Sequence, residues 1–267
     1  MTGASDQDRP GTAACSQILL GLRLREGEDR ERVKARVHAA LDSMTDFDSA
    51  GCATGCPVDL FAGSKHGLAV RNAPSAWDVA VWVESRAFDC ERAAELIQPL
   101  QRLVADHAVT GDSVVIAGIC HTILPGPDMP LLNLFALRPL PGMSAAQFRR
   151  HWFEEHGALA VKGRKTTAET RRYRQLHADA DVSAKIANAL HIGISDFIGA
   201  AQSNWASVEQ MRAAFLSPAV GDTALDDERR FINHGRSVLG AYDVARFDAG
   251  GSGQQDVEWK GLIFPIS

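Results

Sequence analysis

The 267-residue chain contains no glycine-rich phosphate loop. It has neither a Walker pattern nor a Gly-x-Gly-x-x-Gly turn, and no Gly-x-Ser-x-Gly elbow presents a nucleophilic serine. Nucleotide-dependent and serine-hydrolase chemistries therefore lack their usual residues. Gly250, Gly251 and Gly253 precede polar residues and read as a linker. No apolar run approaches the roughly 20 residues that span a bilayer. The start, Met1 to Pro10, lacks the basic residues and apolar stretch of a signal peptide, so a cytoplasmic protein with no membrane partner is expected. Positive charge is scarce: 28 Lys and Arg face 33 Asp and Glu, a net charge of −5. Nucleic acid, which demands a concentrated basic face, is not an expected partner. Five cysteines are an odd number, which fits a reducing compartment better than a disulfide framework.

Metal ligands in working arrangements are missing too. Cys52 and Cys56 are followed by no second Cys/His pair at finger spacing. His151 and His156 are five apart, which on an α-helix separates them by roughly 140°. A two-histidine zinc site is rejected there, and no metal is expected.

What the chain does have is apolar material: 45% hydrophobic against 23% charged residues, as in an ordinary globular protein. Gln17–Leu24 reads as a strand and Glu28–Met44 as a helix with Val33, Val37 and Leu41 on one stripe. Phe47–Phe61, rich in Gly, Asp, Ser and Cys, reads as a loop insertion. Strands are expected at Gly67–Arg71 and Trp77–Glu84, a helix after Asp89, and a strand over Ser113–Thr122. Leu124–Pro130 breaks the chain. The order then repeats. A strand over Leu131–Arg138 leads to a helix with a Ser144/Gln147 capping box. A strand over Arg171–His177, a short helix over Asp181–Leu190 and a strand over His191–Gln202 follow. Ser207 and Gln210 cap another helix, Asp222–His234 reads as helical, and Ser237–Phe247 is the last strand.

This order gives an α+β fold: two tandem ferredoxin-like βαββαβ units, able to pair sheet to sheet and close a fused barrel within one chain. The expected divisions are a flexible lead-in (1–14), a first unit (15–124), a second unit (131–248), and a linker with an apolar tail (249–267). The tail, with Trp259, Leu262, Ile263 and Phe264, is expected to pack on a sheet edge, a cavity mouth or a partner subunit.

From Leu134 onward, the strand, the Pro141-Gly142-Met143-Ser144 turn and the pattern Phe148-x-x-x-Trp152-x-x-x-His156 resemble the EthD family. The match continues through Arg172–His177, Ser195-Asp196-Phe197 and Met211–Pro218, covering residues 130–248. The resemblance implies a dimeric α+β barrel and a helix histidine facing its cavity. Relatives in that fold include cofactor-free decarboxylases, cyclases, isomerases and monooxygenases, alongside haem-binding enzymes.

Candidate residues follow. Phe148, Trp152 and His156 share one helix ridge. By pattern alone His156 is either a satisfied core histidine or a general acid–base; the resemblance adds weight to the second. Tyr173 and His177 share a strand face: Tyr173 is a candidate oxyanion donor, His177 a further acid–base candidate. Asp196, set among Ile192, Ile194 and Ile198, is a candidate orienter of His156. Phe135, Phe148, Trp152 and Phe197 are the expected apolar wall for substrate. Trp77 and Trp82 fall on opposite faces of their strand, and His66 and His121 read as structural. Lys162, Arg164, Lys165, Arg171, Arg172 and Arg174 form a basic run expected to be a solvated face, the alternative being that it steers an anionic substrate to the cavity mouth.

The expected function is a cofactor-independent lyase (decarboxylase) or isomerase (cyclase) acting on a small apolar aromatic, polyketide-like or carbonyl substrate. The alternatives are a haem-binding oxidative enzyme with His156 or His177 as axial ligand, and a non-catalytic ligand-binding protein. The chain is expected to be a monomer with a pseudo-dimeric barrel, or a homodimer.

Overall fold

The computed structural model describes residues 13–56, 77–86, 90–167, 172–218 and 222–248. The first half contains β1 (Ala14–Leu22), α1 (Arg30–Asp42), β2 (Ser49–Gly55), β3 (Val79–Ser85), α2 (Cys90–Leu96), α3 (Gln101–His107) and β4 (Val114–Leu124). The second half begins with β5 (Leu131–Leu137) and α4 (Ala145–Arg150). A π-helical turn (His151–His156) carries α4 into α5 (Gly157–Thr167). Then come β6 (Arg172–Ala178), α6 (Ala180–Leu190), β7 (Gly199–Trp205), α7 (Val208–Leu216), α8 (Thr223–Glu228) and β8 (Val238–Asp248).

The strands form a closed barrel in the order β1-β3-β2-β8-β5-β7-β6-β4, with every neighbouring pair antiparallel. Each half keeps the strand order of a βαββαβ unit. The β2–β8 and β4–β6 ladders join the two sheets and remove the open edges each would have alone.

The period of two sorts each strand. Leu19, Leu134, Ala136, Leu176 and Tyr242 point into the barrel. Ile18, Leu20 and Leu22 point outward against Val33, Val37 and Leu41 of α1 and Ile186 and Leu190 of α6. Phe135 and Leu137 point outward against Phe148 and Trp152. Gly21 is needed where it stands: an added Cβ would lie 2.2 Å from the Trp77 ring.

Helix starts follow the capping residues. Asp29, Ser144, Asp179 and Ser207 each accept backbone N–H bonds at a first turn. Ser144 and Gln147 complete a reciprocal capping box.

Several expectations are corrected. Residues 49–55 are not loop but strand β2, because Ala50 and Cys52 are buried beneath α1 and the backbone is paired on both sides. The strand expected from His191 begins only at Gly199. His191 turns the chain in a left-handed conformation (φ 55°) at the end of α6, and the alternating isoleucines that follow lie in irregular chain. Trp77 and Trp82 both enter the barrel core, since Trp77 precedes the first residue of β3. Arg174 is not solvated: it points inward and is 4% exposed. The helix after Asp222 stops at Glu228. The expected strand at Gly67–Arg71, His66, the N-terminal lead-in and the C-terminal tail lie outside the described residues.

Candidate active site

The second half builds a cavity of about 90 Å³ between the outer face of its sheet and its helices. Its floor comes from alternate residues of β5 and β7, Asn133, Phe135 and Leu137 with Ala201, Ser203 and Trp205, and from Tyr173 of β6. Trp152, His156, Leu159 and Ala160 form one wall, and Phe215, Ala224, Glu228 and Ile232 close the other side. The lining is mostly apolar, with few polar groups placed among it, as small-molecule sites are built.

The π turn decides what the histidines do. On an α-helix, His151 and His156 would diverge. A π turn uses i→i+5 hydrogen bonds, and this wider turn brings residues five apart much nearer to one face than an α-helix does. The Gly157 N–H accordingly bonds the Trp152 carbonyl. Both imidazoles reach one carboxylate: His151 Nε2 lies 3.0 Å from Asp227 Oδ1, and His156 Nδ1 lies 3.0 Å from Asp227 Oδ2. Arg230 Nη1 adds a contact at 3.3 Å. Asp227 is 7% exposed and His156 8%. Burial raises the Asp227 carboxyl, but its bonds and attraction to His156 and His151 outweigh this and hold it below the ordinary aspartate value. Asp227 therefore stays ionised beside His156 and keeps the proton on Nδ1. Nε2 is left for the cavity that His156 lines.

A second acid–imidazole pair adjoins the first. Glu228, also lining the cavity, places Oε2 2.9 Å from His234 Nε2, and His234 packs beside Phe135. Both residues are buried.

Tyr173 is fixed from two directions: its hydroxyl oxygen accepts from Trp152 Nε1 and from Gln175 Nε2, each at 3.2 Å. Gln175 also donates to the Trp152 carbonyl at 2.9 Å, so its Oε1 faces His177 Nε2 at 3.1 Å. With both Gln175 Nε2 bonds donated, Oε1 is the acceptor, and His177 carries its proton on Nε2. Burial, reinforced by His121 and Arg149, pushes His177 down to about 3, so it is neutral at physiological pH. His177 stacks on Trp152 at 4.7 Å and 7°. Trp152 rests on Gly199, where an added Cβ would lie 2.7 Å from the indole.

The structure thus brings His156, Tyr173, Phe135 and Trp152 to one cavity. It does not bring the other candidates there. Asp196 pairs with Arg138 and, at 2.8 Å, with Arg236, not with His156, because the irregular chain before β7 carries it to the surface. Asp227 holds the imidazole instead. His177 does not line the cavity and acts on Tyr173 only through Gln175. Phe148 is buried against Trp152 and Phe231 behind the lining. Phe197 lies in the barrel core edge-on to Trp77, with the Arg138 guanidinium over its ring. Asp227, Glu228, His151, His234 and Gln175 were not legible as a site. Asp226-Asp227-Glu228-Arg229-Arg230 has the appearance of a solvated charge run, and only the fold turns two of its acids inward.

Among the described residues, no cluster of three or more His, Cys, Asp or Glu side chains is arranged to hold a metal. No helix among them is long and apolar enough to cross a membrane.

The model of the EthD domain matches residues 140–235, so the second half carries an EthD domain. No curated protein matches the chain by sequence. Among solved structures, one assigned as a chlorite dismutase is 11% identical, with 87% of this chain and 95% of that one covered at a TM-score of 0.51. A chlorite dismutase variant from Candidatus Nitrospira defluvii is 12% identical, covering 86% and 91% of the two chains at a TM-score of 0.47. A haem-binding protein from Thermus thermophilus is 11% identical, covering 89% and 94% at a TM-score of 0.47. At such identities the likeness concerns fold: the chain shares the chlorite dismutase-like α+β barrel across both halves.

Proposed function

We propose that this chain is an acid–base enzyme acting on a small, largely apolar carbonyl or phenolic compound, as a lyase or isomerase, in the cavity of its second half. The observation that carries the reading is the buried Asp227–His156 pair, held through Nδ1 of an imidazole that lines an apolar cavity. A carboxylate on Nδ1 fixes the tautomer and stabilises the imidazolium formed when Nε2 takes a proton. Such general-base catalysis contributes about 10²–10⁴-fold. Nε2 removes a proton from the carbon beside a carbonyl. Tyr173, its oxygen oriented by Trp152 and Gln175, donates to the enolate oxygen. The same imidazolium then returns the proton to a different carbon, which is isomerisation. In a decarboxylase, departure of CO2 itself leaves the enolate electron pair, and a His156 that enters the step protonated supplies the proton to that carbon.

A second reading is a haem-binding oxidative enzyme on this fold. A histidine held through one ring nitrogen by a carboxylate is the donor set a haem iron takes, and His156 has it. The space does not fit. A cavity of about 90 Å³ is far below the roughly 300–1,000 Å³ of drug-sized ligand sites, so it suits a compact substrate and not a ligand as large as a porphyrin. His177 is a poorer candidate still, stacked on Trp152 and bonded to Gln175.

The testing experiment follows solvent deuterium entering a panel of small ketones, lactones and phenols by NMR, with wild-type protein and His156→Ala. Exchange that requires His156 is expected. Equal exchange in both proteins, or none with any compound, overturns the acid–base reading. Haemin added to the same samples separates the alternative: a stoichiometric Soret band lost in His156→Ala would establish the haem reading.

A further inference from the structure

Inside the barrel, away from this cavity, β1 and β4 place Cys15 directly opposite Cys120. Both belong to inward-facing rows: Cys15 continues Gln17 and Leu19, and Cys120 continues Ile116. Directly opposed residues of an antiparallel pair have Cα atoms about 4.5–5.5 Å apart, within the roughly 4.4–6.8 Å that a disulfide bridges. Cys15 is half-buried near the strand end, whereas Cys120 is fully buried.

A charged group attends this pair. Arg174 Nη2 lies 3.2 Å from Cys15 Sγ. The same guanidinium forms a buried ion pair with Glu84, which also accepts from Gln17 at 2.8 Å and from Ser49 at 2.9 Å. The two thiols therefore differ. Cys15 is pulled below the ordinary thiol value by its bond with Cys120 and by Arg174, against its own burial. Cys120 is pushed well above it by burial and keeps its proton. Cys52 in β2 and Cys56 just after it are pushed up to about 12 and about 11 by burial.

We propose that Cys15 and Cys120 form a redox-active dithiol that reduces hydroperoxides, Cys15 attacking and Cys120 resolving. The Cys15 thiolate attacks the terminal peroxide oxygen. The O–O bond breaks, and the departing oxygen leaves as alcohol or water after taking a proton, so Cys15 becomes a sulfenic acid. The Cys120 sulfur then attacks the Cys15 sulfur, and the S–S bond forms as the S–O bond breaks. The hydroxide leaves as water with the Cys120 proton. An external dithiol returns both residues to thiols. Arg174 stabilises the attacking thiolate, and Glu84 balances the guanidinium once that thiolate is spent.

The test treats the full chain with hydrogen peroxide, alkylates the remaining thiols and maps them by mass spectrometry. The expected product has lost two hydrogens, carries a Cys15–Cys120 cross-link that dithiothreitol reverses, and leaves Cys52 and Cys56 alkylated. Cys120→Ser should stop at a sulfenic acid on Cys15 that dimedone traps, and Cys15→Ser should abolish the reaction. Should either variant fail to fold, the wild-type map decides alone. Oxidation falling elsewhere first, or Cys15 remaining as reactive as Cys56, overturns the proposal.

Discussion

Asp227→Asn tests the proposed site most directly. The aspartate carboxylate serves two imidazoles at 3.0 Å each, one oxygen to His151 and one to His156. An amide keeps one acceptor oxygen and replaces the other with an N–H donor. One imidazole must then rotate its proton to the opposite nitrogen or lose its bond. If His156 is the one that changes, Nε2 becomes protonated and can no longer act as base. Loss of a hydrogen bond to a buried charged group costs about 1.5–3 kcal/mol. For a chain of this size that corresponds to a fall of roughly 3–12 °C in Tm. The loss of proton transfer should be larger, about 10²–10⁴-fold, since the base is placed in the wrong tautomer. Two measurements separate these effects: deuterium exchange into a substrate identified with wild type, and thermal unfolding of each protein. A variant that exchanges within twofold of wild type while His156→Ala is inactive would refute the orienting role of Asp227. The pH dependence supplies a sign. The Asp227 carboxyl is held below its unfolded value, so its stabilisation is present above that value, about 3.9, and is lost as pH falls through the folded one.

Two further substitutions probe the surroundings. His177 titrates near 3 in the fold against about 6.5 unfolded, so the unfolded chain binds more protons between those values and stability falls as pH drops through that window. His177→Gln, which keeps a donor toward Gln175, should flatten urea midpoints between pH 6.5 and 4; unchanged curvature would contradict a buried neutral His177. Arg174→Leu leaves Glu84 buried without its ion-pair partner and should cost about 3–5 kcal/mol. Arg174→Leu combined with Glu84→Gln should recover much of that loss in denaturant titrations, and a double variant no more stable than the single one would argue against an ion pair at the heart of the barrel.

Some of this molecule was legible in its residues because the signals are local. The strand–helix order, the caps at Ser144 and Ser207, and the shared face of Tyr173 and His177 depend on spacing along one element. The Phe148–Trp152–His156 ridge was legible for the same reason, and so was the EthD character of the second half. Other features depend on what lies across from a residue. Ser49–Gly55 has the composition of a loop and is a strand because β3 and β8 flank it. Asp196, in alternating apolar sequence, lies at the surface because that chain is not a strand. Asp227 and Glu228, in a charged run, turn inward because α8 packs toward the π turn. That turn is the deciding case: spacing along an α-helix separates His151 from His156, and five residues of a π-helix join them on one carboxylate. Local periodicity determined the elements; the pairing of the two halves and the packing of their helices decided which side chains meet, because contacts between residues distant in sequence leave no mark on the spacing within either segment.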